Sequence, residues 1–134
     1  MTRKEAREQA FVLVFENCFR KESVAELLEI AELYGNYEKD EYCTNIVGIV
    51  EENKTSLDEI ISEYAKGWKI DRLSKASLSA LRIAIAEMNY LTDIPESVSI
   101  NEAVELVKKY ATSEDASFIN GILGAYSRSK KEDW

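Results

Sequence analysis

The chain has 134 residues, 46% of them hydrophobic and 31% charged, with a formal net charge of −8. That length and apolar content suit one domain with an ample core, and five Gly with one Pro leave little material for long irregular stretches. The acidic balance repels a polyphosphate at long range, so nucleic acid would have to be held at a local basic patch or with a partner's help.

Apolar spacing predicts seven helices and no strand, an all-α chain. The first runs from Lys4 to about Phe19, with Ala6, Ala10, Phe11, Leu13, Val14, Phe15 and Cys18 making a wide apolar face. Ser23 and Glu26 form a capping-box pattern before Val24, Leu27, Leu28 and Ala31, and Gly35-Asn36 breaks the chain. Tyr42, Ile46, Ile49 and Val50 mark a third helix. A fourth is predicted from Ser56 and Glu59 onward, with Leu57, Ile60, Ile61, Tyr64, Ala65 and Trp68 at helical spacing. Asp71 is the N-cap candidate for the fifth, whose centre from Ala80 to Ala86 is apolar nearly all round except for Arg82. Such a helix belongs in the middle of a bundle. Pro95 ends it. Ser99 and Glu102 form a capping pattern for the sixth helix, which carries Ile100, Ala103, Val104, Val107, Tyr110 and Ala111 on one face. The seventh begins near Ser113, and its Gly121 and Gly124 suggest a close helix approach. Ser127 to Trp134 reads as a charged, frayed tail.

Several kinds of chemistry lack their residues. There is no His, which removes Ser-His-Asp and Cys-His catalysis and His-bearing metal sites. No Gly-rich phosphate loop is present. Cys18 and Cys43 have no CxxC spacing and read as buried thiols. No cofactor, metal or catalytic residue is therefore expected. Glu87, beside the apolar run of the fifth helix, is the carboxylate to watch, and its plain reading is an ion pair with Arg82 or Lys66. No apolar run is long enough to cross a bilayer, and the N-terminus lacks the apolar core of a secretory signal, so a cytoplasmic location is expected.

Three places invite a functional reading. Arg3, Lys4 and Arg7 open the first helix, where positive charge opposes the helix dipole, and Arg3 and Arg7 lie four apart on one face. The alternative is an ordinary mixed-charge start, diluted by Glu5 and Glu8. Lys108, Lys109 and Tyr110 end the sixth helix, where Lys complements the dipole and Tyr110 continues the apolar stripe. Phe118, at the opening of the last helix, is either core or a partly exposed ring able to stack on an unpaired base, worth about 1–3 kcal/mol.

Longer motifs add specificity. Trp68-Lys69-Ile70-Asp71-Arg72-Leu73, then Leu81-Arg82-Ile83-Ala84 with Glu87, resembles the central helix of the NusB family. The run Val98-Ser99-Ile100-Asn101-Glu102-Ala103-Val104-Glu105-Leu106-Val107-Lys108-Lys109-Tyr110 is similar to that family's V-x-I-N-E-A-V-E-L-A-K-x-Y/F stretch, departing at Val107. Phe118-Ile119-Asn120-Gly121-Ile122-Leu123 resembles its F-V-N-G-V-L motif, and Arg3 to Ala10 resembles its R-x-x-A-R-E-x-A opening.

The resemblance implies two three-helix bundles around a long central helix, in a single domain with sub-bundles of about 1–66 and 67–130. It implies a non-catalytic antitermination factor that pairs with NusE, a small-subunit ribosomal protein. The pair would bind single-stranded boxA RNA of nascent ribosomal transcripts within the RNA polymerase antitermination complex. Carried over by position, it makes Arg3, Lys4, Arg7, Lys108, Tyr110 and Phe118 candidates for RNA contact. Phe15 and Ser77 become candidates for partner contact; the family often has Tyr at the first, and some members an acidic residue at the second. The competing reading is a helical protein–protein adaptor with little RNA binding of its own. The apolar first helix would also permit a homodimer. Ribosomal RNA methyltransferases that carry such a domain need an α/β domain for which this length leaves no room, and a carboxylate enzyme would need a pocket at Glu87.

Overall fold

The computed structural model describes residues 1–35 and 37–132. They form α1 (Arg3–Asn17), α2 (Val24–Leu33), α3 (Glu41–Glu52), α4 (Lys54–Tyr64), α5 (Lys75–Tyr90), α6 (Glu96–Tyr110) and α7 (Ser113–Glu132), with a 3-10 turn at Ile70–Arg72 and no strand among them. Asn36 of the predicted break, and Asp133 and Trp134 of the predicted tail, lie outside the described residues.

The fold is organised around α5. Every residue from Ala76 to Met88 is buried, because α1 and α3 cover it on one side and α4, α6 and α7 on the other. The small side chains Ala76, Ala80, Ala84 and Ala86 let neighbours approach its backbone, while Leu81, Ile83 and Ile85 fill the spaces between them. α1, α2 and α3 pack together, and α4 and α6 each pack on α7, giving two three-helix groups around the central helix. α4 precedes residue 66 in the chain but packs against α5 and α7.

Local chemistry explains most helix starts. Thr2 and Glu5 form a reciprocal capping box on α1, Thr2 Oγ1 accepting from the Glu5 amide at 3.1 Å. Ser23 caps α2 as expected, and Asp40 caps α3. Gly35 takes the left-handed conformation (φ +74°) just past α2, as a helix-ending glycine does.

Five expectations need correction. α4 starts at Lys54 after Asn53, and Ser56 lies in its first turn with its hydroxyl donating to the Asn53 carbonyl at 3.0 Å. Asp71 falls in the 3-10 turn, and Ser74 caps α5 instead, accepting from the Ser77 amide at 3.1 Å. α6 starts four residues early, at Glu96 after Pro95, so Ser99 sits inside the helix and turns inward. Gly121 meets open space, so no close approach requires it. The tail is helical as far as Glu132, held by Ser127 on Glu96 at 2.6 Å and by Lys130 on Glu96 at 2.7 Å and on the Met88 carbonyl at 2.9 Å.

Candidate nucleic-acid interface

The capping box at Thr2 sets the first turn of α1 at the surface, with Arg3 and Lys4 exposed. The guanidinium of Arg3 lies 4.5 Å from the centre of the Tyr42 ring, within cation–π reach. Lys4 reaches across to α6, 3.5 Å from Glu102.

Arg7 goes elsewhere. One turn on from Arg3, it falls on the stripe of Phe11 and Val14 and is 4% exposed. Its Nε donates to Glu87 Oε2 at 2.7 Å and its Nη2 to Oε1 at 3.3 Å. The Tyr42 hydroxyl also donates to Glu87 Oε2, and Ser99 Oγ to Oε1 at 2.8 Å. Glu87 is wholly buried, yet both of its oxygens are engaged by donors from α1, α3 and α6. Burial by itself would lower the Arg7 pKa, but hydrogen bonding and attraction from Glu87 outweigh it and raise it further. Burial first, then the adjacent Glu87 charge, pushes the Tyr42 phenol far above its ordinary range, so it stays a donor.

This network corrects two expectations. Glu87 pairs with Arg7, not with Arg82 or Lys66; Arg82 instead forms a two-pronged bridge to Asp58 of α4 at 2.8 and 2.9 Å. Arg7, expected beside Arg3 on an RNA-facing surface, is enclosed. Tyr42 and Ser99 were missed as members of the site. Their only sequence signal was a hydroxyl at an apolar-face position, one that a buried carboxylate would need.

Lys4 and Lys109 line a groove of about 190 Å³ between α1 and α6, edged by Glu8, Glu102 and Glu105 over Leu106, and the buried Arg7 reaches its wall. Each lysine there has a carboxylate. Lys109 Nζ sits 2.7 Å from Glu8, and the Tyr110 hydroxyl donates to the same oxygen at 2.6 Å. These bonds hold the Glu8 carboxyl below its usual range, and the Glu8 bond, with burial second, pushes the Tyr110 phenol up to about 12. Lys108 lies 3.6 Å from Glu105 and edges a separate polar groove between α6 and α7.

Phe118 is half-buried in the first turns of α7, its ring 5.9 Å from that of Trp68 and edge-on to it. With Trp68, Arg72 and Ser77 it lines another groove, of about 210 Å³, which shares no wall with the α1–α6 groove. The structure therefore brings Lys4 and Lys109 together but sets Phe118 apart from them. Ser77 is buried in that groove and accepts from Ser74 Oγ at 2.9 Å. Phe15 is half-buried in a row of rings, stacked on Phe11 at 5.8 Å and edge-on to Phe19 at 5.2 Å, while Tyr110 caps Phe11 at 5.0 Å.

Among the described residues no group of three or more His, Cys, Asp or Glu side chains could hold a metal ion, and no helix is long and apolar enough to cross a membrane. The sequence profile of the NusB family matches residues 4–128. The chain is 44% identical to the transcription antitermination protein NusB of Natranaerobius thermophilus, over 92% of each chain. It is 43% identical to that of Acetivibrio thermocellus, over 97% of this chain and 91% of the relative. Among solved structures, NusB of T. maritima superposes with a TM-score of 0.87 at 33% identity, covering 96% of this chain and 92% of the other. A chain in the crystal structure of antitermination factors NusB and NusE in complex with dsRNA superposes with a TM-score of 0.84 at 30% identity, covering 95% and 96%. The seven helices, the central buried helix and these matches along nearly the whole chain agree, and the chain belongs to the NusB family.

Proposed function

We propose that this protein is a non-catalytic transcription antitermination factor that binds RNA as one half of a complex with a NusE protein. The observation that carries this reading is its likeness, over nearly the whole of both chains, to a chain of a solved complex of NusB and NusE with dsRNA. Its RNA is a boxA-like single strand, and the complex acts on RNA polymerase in the cytoplasm.

The carboxylates explain why a partner is needed. Phosphates approaching the α1–α6 groove must displace Glu102 from Lys4 and Glu8 from Lys109, against a net charge of −8. Each displacement trades one ion pair for another and gains little in water. A cationic partner beside the groove would shift that balance.

RNA affinity measured against salt, with and without NusE, tests this. Single-stranded boxA RNA should bind far more tightly with NusE present than without, and more tightly than scrambled or double-stranded RNA. Lys4→Ala should reduce the salt slope by about 0.7. Equal affinity for boxA and scrambled RNA in the presence of NusE would refute the reading. The full pairing of lysines in the α1–α6 groove favours one alternative, an adaptor that binds NusE but not RNA, which the same titration would reveal as NusE capture without RNA retention.

A further inference from the structure

We infer that the groove between α1 and α2 is a docking site for a cationic amphipathic helix of a protein partner, separate from the α1–α6 groove and independent of the RNA-binding reading above.

α2 is an apolar helix left half-covered. Of its 10 residues only Val24 and Leu27 are buried. Ile30 is exposed, and Leu33 and Tyr34 at the helix end are 82% and 74% exposed. Single exposed apolar side chains are ordinary, but these three fall within one helical turn and adjoin a groove of about 610 Å³. Val12 and Leu13 of α1, with Leu27 and Ala31 of α2, make its apolar floor, and Ile30 stands on its edge. α2 packs on α1 and α3, and the outer part of its apolar arc is left uncovered.

The charge around the groove selects its occupant. Glu5, Glu8 and Glu16 line it on the α1 side, with Arg20 at one end turned to Glu22 at 3.4 Å. Glu8 is bonded by Lys109. Glu5 and Glu16, and Glu26, Glu29 and Glu32 on α2, have no ion-pair partner among the described residues. Residues 22–52 hold nine acidic residues and one basic, a charge of −8 that equals that of the whole chain. Such a field repels phosphates, anionic lipid and a second copy of this acidic chain, and it attracts Lys and Arg. A cation arriving here meets carboxylates that need not first release an internal one.

The shape selects a helix. The groove runs between two helices whose backbone groups are spent on their own hydrogen bonds, so it offers no sheet edge to an extended strand. From Glu5 to Glu16 α1 rises about 17 Å, the length of about three helical turns. A helix laid along it would bury its residues at i, i+3 or i+4 and i+7 on the floor and set Lys or Arg on its flanks against the glutamates. Phe15 and Ser77, the candidate NusE contacts, do not line this groove, so it is free to take a second protein while NusE is bound.

The probe is a synthetic peptide of about four helical turns with capped ends, Leu along one helical face and Lys on the other. Titrated into the isotope-labelled protein, it should bind saturably and more weakly as salt rises. The amide resonances of Val12, Glu16, Leu27 and Ile30 should shift more than the rest. Ile30→Asp should lower the affinity about 5-fold or more and Glu16→Lys about 3-fold or more; both positions are exposed, and circular dichroism checks that each variant is folded. A peptide of the same composition, ordered so that no apolar stripe forms, should bind at least about 10-fold more weakly. Equal binding of the two peptides, or shifts centred away from α1 and α2, would overturn the inference. The titration is then repeated with NusE bound, where unchanged peptide affinity is expected. Exclusion of the peptide by NusE would assign the groove to NusE and overturn the inference while leaving the proposed function standing. A dimer that the peptide dissociates, followed by analytical ultracentrifugation, would assign the groove to a second copy and overturn it equally. Failure of NusE itself to bind would sink the proposed function alone.

Discussion

Arg7 and Glu87 meet across 80 residues of chain, and no local pattern announces the pair. From the sequence, Arg7 is one of three cations at the start of α1; its spacing from Phe11 and Val14 puts it on the apolar stripe, but only the packing of α1 on α5 shows what it meets there. What was legible was the oddity of Glu87 beside an apolar run. Its partner was not, because the nearest cations in sequence, Arg82 on the same helix and Lys66, are nearer only along the chain. Removing the guanidinium would leave a carboxylate buried without its counter-charge, which costs about 3–5 kcal/mol. Arg7→Ala should therefore lower the unfolding free energy by that much, read as a fall in the urea midpoint at unchanged slope, while the folded fraction keeps the wild-type salt dependence for RNA. A variant with full stability but a lost salt increment would instead make Arg7 a phosphate contact.

At the scale of elements, apolar periodicity located all seven helices, because a face that must be buried imposes its spacing on the sequence. Helix starts were less legible. Ser56, Asp71 and Ser99 all resemble caps, but Asn53, Ser74 and Pro95 stand at the starts. A cap is chosen by where the preceding turn ends, and that is set by tertiary contacts such as Ser99 on Glu87. The seam between α1 and α6 also could not be read in advance, since it joins Glu8 to Lys109 and Tyr110 a hundred residues on. Its titration has a definite sign. Glu8 is held below its ordinary 4.5 in the folded protein, so its contribution is present above that value and is lost as pH falls through the folded one. Tyr110 is raised from 10 to about 12, so its share is complete below 10 and is lost as pH rises towards 12. The thermal stability gap between wild type and Glu8→Gln should be widest in between and close at both extremes. A gap independent of pH would mean that the ionisation of the seam contributes nothing.

The whole molecule shows how an acidic protein can distribute its cations. Its basic residues are not gathered into one field; some are paired with carboxylates along α1 and α6, and those of the 66–75 segment have no ion-pair partner among the described residues. Composition registered the sum of −8 but not this division. The central helix imposes a second property at this scale. Since α1 and α3 cover one side of α5 and α4, α6 and α7 the other, neither three-helix group has a complete core without it. A chain stopped after Tyr64 should show little helicity and no cooperative unfolding transition by circular dichroism, since short helices without packing partners are marginal in water. A sharp transition in that fragment would show that the first group folds alone.

Encasement of α5 also orders events during synthesis. The ribosome delivers α1 to α4 first, at about 5–20 residues per second, and Arg7 waits in water, charged and unpaired, until Glu87 emerges. The lid over the far side of α5 comes later still, because α7 is made after α5 and α6 and Lys130 near its end bonds the Met88 carbonyl. The nascent chain thus holds an open apolar trough for the interval between α5 and α7. In that interval the unfinished protein is most exposed to aggregation and to whatever chaperone meets it at the tunnel exit.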